Sequence, residues 1–101
     1  MDEARFQLTF GETDSPSRGE LIVYRPLGSF GARVELVVEG DAPPPNLHAK
    51  AALAAAAEAS GLGLALRLGW KRRDGFMVRE CALVGDNHAR LRELFPGGAS
   101  A

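Results

Sequence analysis

The chain reads as an α+β domain: a mainly antiparallel five-stranded sheet and two helices in the order β-β-β-α-β-β-α, arranged in two layers. Three observations predict this. Apolar residues recur at every second position in several short runs, the signature of strands with one buried face. A single alanine-rich run near the middle lies between Asn46 and Gly61 and has helical composition. Asp74-Gly75 joins two alternating runs within 62–84, a strong hairpin signal because glycine accepts positive φ without a Cβ clash.

In the first strand Phe6, Leu8 and Phe10 alternate with Arg5, Gln7 and Thr9. A polar stretch from Gly11 to Gly19 follows, long for a hairpin connection. Leu21, Ile22, Val23, Tyr24 and Arg25 form a second strand, nearly continuous in apolar character, as expected of one that is central or covered on both faces, and Pro26 ends it. A turn containing Gly28-Ser29-Phe30-Gly31 leads to a third strand. There Val34, Leu36 and Val38 point one way and Arg33, Glu35 and Glu39 the other. Three prolines, Pro43 to Pro45, break the sheet.

Asn46 is expected as the N-cap of a helix over 47–60, with Gly61 as its left-handed C′ residue. Leu47 and Leu53 are its only large apolar residues. Lys50, Ala54 and Glu58 share the solvent side, and Ala49, Ala52, Ala56 and Ala59 spread over the other. Such a methyl surface packs tightly on its own sheet; the functional alternative is a dimer seam. After the hairpin, Asp86 or Asn87 caps a short helix whose Leu91, Leu94 and Phe95 form one face. One domain over 1–96 with a disordered tail at 97–101 accounts for the whole chain. The same order of elements also fits an OB-like, partly open barrel with a capping helix, whose loops at Gly11–Gly19 and Lys71–Gly75 would bind oligonucleotides.

The hairpin has two registers. A two-residue Asp-Gly loop sets Trp70 against Arg79 as a cation–π pair, Leu68 against Cys81 and Leu66 against Leu83. A bulge would shift the pairing and bring Phe76, Val78 and Ala82 to the leucine face.

At 101 residues with a net charge of −1, the protein is no general polycation. Its charge is uneven: residues 1–20 carry net −3 and residues 67–79 net +4. The one cysteine excludes an intramolecular disulfide, and Cys81 reads as a small core hydrophobe. The N-terminus lacks the basic and apolar regions of a signal peptide, and no apolar run spans a membrane. A cytoplasmic setting is therefore expected.

No nucleophile, base and orienting group can be assembled, so no catalytic residue is assigned and no cofactor is expected. His48 and His88 lack metal-ligand spacing, and Glu12 and Asp14 lack that of a calcium loop. The expected function is a small, non-enzymatic binding module making homodimer or protein-partner contacts. The alternative is weak, sequence-tolerant binding of single-stranded nucleic acid through the basic hairpin at 70–76. For either partner the candidate contact residues are Arg67, Trp70, Lys71, Arg72, Arg73, Arg79 and Phe30.

Overall fold

Three antiparallel strands open the chain: β1 (Glu3–Phe10), β2 (Ser17–Tyr24) and β3 (Val34–Glu39). The computed structural model describes residues 2–11, 14–27 and 32–96, so Phe30, its G-x-x-G turn and the tail at 97–101 lie outside the described residues. Helix α1 (Asn46–Ser60) follows, then the short strands β4 (Leu64–Leu66) and β5 (Lys71–Arg73), β6 (Phe76–Leu83) and helix α2 (His88–Leu94). The sheet order is β1-β2-β3-β6-β4, with β5 also on β6. Every pairing is antiparallel. β1 and β4 end the order without meeting, so the sheet is open and the barrel alternative does not form.

Among the described residues the sheet has six strands, not five, because the run before Asp74 is broken. β5 pairs with β6 in the two-residue-loop register, with Arg73 opposite Phe76 and Lys71 opposite Val78. β4 is offset by two residues, so Leu66 faces Cys81 and Leu64 faces Leu83. The expected Leu66–Leu83 and Leu68–Cys81 pairs therefore do not form. Arg67 N–H donates to the Glu80 carbonyl, so Leu68, Gly69 and Trp70 span an interval in which β6 has only Arg79. Gly69 turns this bulge at φ +91°. An even offset preserves the alternation of faces, which lets the leucines of β4 stay on the core side.

The β1–β2 ladder extends further into the Gly11–Gly19 stretch than expected, since pairing runs to Phe10 opposite Ser17. Gly19 is required within that ladder: a Cβ there would lie closer than 3.0 Å to the Phe10 ring and the Val37 carbonyl. The ring occupies the space a side chain would take.

The main core lies between the helices and one face of the sheet. Leu8, Phe10, Leu21, Val23, Val34, Leu36, Val38, Met77 and Cys81 meet Ala52 and Ala56 of α1 there. The helix packs against β1 and reaches β4, bridging the two ends of the sheet. Its buried stripe is Ala49, Ala52, Ala56 and Ser60; Ala59 is exposed. Ser60 replaces it because its hydroxyl donates back to the Ala56 carbonyl at 2.7 Å.

Pro45, not Asn46, occupies the N-cap, and no side chain caps that end. Gly61 closes the helix at φ 72° as expected. Asn87 is the N-cap of α2, but its side chain reaches outward, accepting from Gly63 N–H and donating to the Val84 carbonyl. Phe95 is 1% exposed and fixes α2 to the core with Leu91 and Leu94 beside it. Burying a ring of that size contributes about 2–3 kcal/mol.

Candidate functional site

The helix-free face of the sheet holds the ionic centre of the molecule. Cross-strand register places Ile22 opposite Glu35 on β2 and β3, and Val37 opposite Val78 on β3 and β6. Ile22, Val37 and Val78 form a second small apolar cluster with Tyr24 beside it. Beside this patch Glu35 is only 2% exposed. The alternation at β3 is as expected, but this glutamate does not face water, because β3 is central and long side chains cover it.

Three side chains converge on the Glu35 carboxylate. The Tyr24 hydroxyl donates at 2.8 Å, Arg33 at 2.7 Å, and Arg73 donates through both terminal nitrogens at 2.9 and 3.2 Å. Arg73 is level with Phe76 and Glu39 in the ladders, two same-face positions from Glu35. Its guanidinium therefore reaches Glu35 by lying along the sheet at the level of Val78 and Val37, and so tethers the hairpin to the central strand. Burial alone would raise the Glu35 pKa; the hydrogen bonds from Arg73, Tyr24 and Arg33 outweigh it and hold the group at about 2. Burial, reinforced by the hydrogen bond to Glu35, pushes the Tyr24 phenol up. All buried side-chain polar atoms among the described residues are paired.

Around this centre is a cavity of about 460 Å³ lined by Arg33, Arg67, Lys71, Arg72 and Arg73, by Glu35 and Glu80, and by Leu68, Gly69 and Val78. Five cations against two carboxylates leave an excess of three positive charges. Arg33 and Arg73 are committed to Glu35, and Arg72 donates to the Asp41 carbonyl at 3.1 Å. Among the described residues, the Arg67 and Lys71 side chains have no hydrogen bond or ion pair. Leu68 is 97% exposed on the bulge at the cavity wall.

Four of the residues singled out from sequence thus meet at one place: Arg67, Lys71, Arg72 and Arg73. Trp70 and Arg79 do not join them. Arg79 is opposite Leu36 and so on the core side, its guanidinium 5.7 Å from the Trp70 ring centre, and Trp70 packs against the main core. The expected cation–π pair is present, and it turns the indole away from the cationic cavity. Glu35, Arg33 and Tyr24 were missed as site residues. Their one sequence signal is a glutamate in the middle of a strand that must be central.

A second surface lies at the opposite edge. Among the described residues β1 pairs only with β2. The Arg25 N–H donates to the Asp2 carbonyl and Tyr24 N–H to the Arg33 carbonyl. Antiparallel alternation from these two bonds points the main-chain groups of Ala4, Phe6, Leu8 and Phe10 at β2. Those of Glu3, Arg5, Gln7 and Thr9 point outward.

Remaining candidates are quieter. Cys81 is buried, and desolvation pushes its thiol up to about 11. No group of three metal-ligating side chains occurs among the described residues. His48 lines a hollow of about 400 Å³ with Asp14, Glu39 and Pro44. No helix is long and apolar enough to cross a membrane among the described residues. Comparison of the chain with protein-family models, with curated proteins and with solved structures finds no match in any of the three.

Proposed function

We propose that this protein is a non-enzymatic binding module that associates through the free edge of β1, with a second copy of the chain as partner. The supporting observation is that edge itself: eight residues paired without interruption to β2, with no proline or bulge to blunt it. A two-fold antiparallel pairing must match residues of like face and join the outward groups of Glu3, Arg5, Gln7 and Thr9 to one another. Centring it on Phe6 uses all four. Arg5 then faces Gln7 of the second copy, and Glu3 faces Thr9. Centring on Arg5 would set like charges opposite each other.

The Phe6 register also joins two partly buried phenylalanine rings at a non-hydrogen-bonded position, where side chains approach closest. Helix α1 packs against β1, and its exposed Ala51, Ala54 and Ala55 offer only methyls to an approaching neighbour.

Light scattering at micromolar concentrations is expected to give twice the chain mass. Gln7→Lys places a cation opposite Arg5 of the second copy while remaining beside Glu20 of its own, and is expected to give a folded monomer with an unchanged circular dichroism spectrum. Phe6→Cys is expected to form an interchain disulfide under mild oxidation and Gln7→Cys none. A wild-type monomer, or equal crosslinking at both positions, overturns the proposal.

A further inference from the structure

From the cationic cavity at the other end of the sheet we infer a second binding site, for the phosphoryl group of a small aliphatic phosphate ester or diphosphate. The cavity is of the size that takes a small molecule. Its excess of three positive charges exceeds what a single carboxylate neutralises, whereas a phosphate monoester or diphosphate brings two or three negative charges.

The donors have divided roles. Arg33 and Arg73 are held in place by Glu35, so the floor of the cavity is rigid before any ligand arrives. Arg67 and Lys71, without side-chain partners among the described residues, supply the free donors. A guanidinium fork and a point-charge ammonium are the two side chains best suited to phosphate oxygens. The bulge creates this arrangement: by looping out Leu68 and Gly69 it sets Arg67 and Lys71 on either side of one recess.

The organic part of the ligand is aliphatic, because among the described residues the apolar lining comes from Leu68 and Val78 and includes no aromatic ring. A nucleic acid fits this cavity less well. Of the two aromatic residues of the hairpin, Trp70 is committed to the core and to Arg79, and Phe76, 41% exposed opposite Arg73, lies outside the cavity lining, so the described lining gives a base no ring to stack on.

The test is titration of the full chain with inorganic pyrophosphate, followed by backbone amide shifts at physiological ionic strength. Saturable shifts confined to residues around Arg33, Arg67, Lys71 and Glu80 are expected. Arg67→Ala/Lys71→Ala should weaken binding at least about tenfold, as the loss of two charge-assisted hydrogen bonds implies, with thermal unfolding unchanged. Citrate at equal charge and a short single-stranded RNA are the comparison ligands. No saturable shift, shifts that survive the double substitution, or tighter binding of citrate or RNA than of pyrophosphate would each overturn the inference. These outcomes do not depend on the oligomeric state, which the β1 variants report separately.

Discussion

Glu35→Gln removes the one charge on which Tyr24, Arg33 and Arg73 converge, and with it the tether between the hairpin and the central strand. Its magnitude can be worked from the structure. Glu35 is held at about 2 from an ordinary value of 4.5, which at neutral pH is a stabilisation of at most about 3 kcal/mol. Its partners are not buried: Arg33 is 59% and Arg73 46% exposed. Solvent screening of those guanidiniums brings the expected loss to roughly 1–2 kcal/mol.

The sign with pH follows from the depressed value. The contribution is fully present above the unfolded pKa near 4.5 and is lost as pH falls towards 2. By about pH 3 more than half of it is gone. Urea denaturation of wild type and Glu35→Gln at neutral pH and at about pH 3 isolates this component, because all other carboxylates are common to both proteins. The gap in unfolding free energy should narrow on acidification. Equal stability at neutral pH, or parallel losses in the two proteins, would show that the network is a surface ornament.

Two further outcomes follow from packing. Gly19→Ala forces a methyl into the Phe10 ring and the Val37 carbonyl, and should cost about 1–3 kcal/mol in a denaturant titration. The Cys81 thiol, buried and pushed up to about 11, should resist a thiol reagent at mildly alkaline pH in the native protein and react promptly in urea.

The order of elements was legible in the sequence because local physics decides it. Period-two alternation marked β1 and β3, alanine content marked α1, Gly61 its end, and Asp74-Gly75 the hairpin turn. Each signal lies within a few residues of the structure it specifies. The continuous apolar run at Leu21, Ile22 and Val23 also correctly indicated a strand covered on both faces. The Trp70–Arg79 contact was legible for the same reason, being fixed by the turn a few residues away.

What the sequence could not decide was where distant side chains go. The run before Asp74 alternates smoothly, and nothing in it marks Leu68 as the residue to be looped out. The break arises because β4 and β5 must both pair with β6 at registers that differ by two residues, and the bulge takes up the difference. Likewise Glu35 alternates as a solvent-facing residue, yet its strand is flanked by β2 and β6, and Arg73, 38 residues away, lies across it. Sequence alone thus determined the order of strands and helices apart from the break between β4 and β5, most of the buried helix stripe, and the cationic character of the hairpin. Tertiary structure decided, among the described residues, which cations are spent on Glu35, which stay unpaired beside the bulge, and which strand ends the sheet at β1. Those outcomes depend on long-range register, and register is set by burying the whole sheet at once.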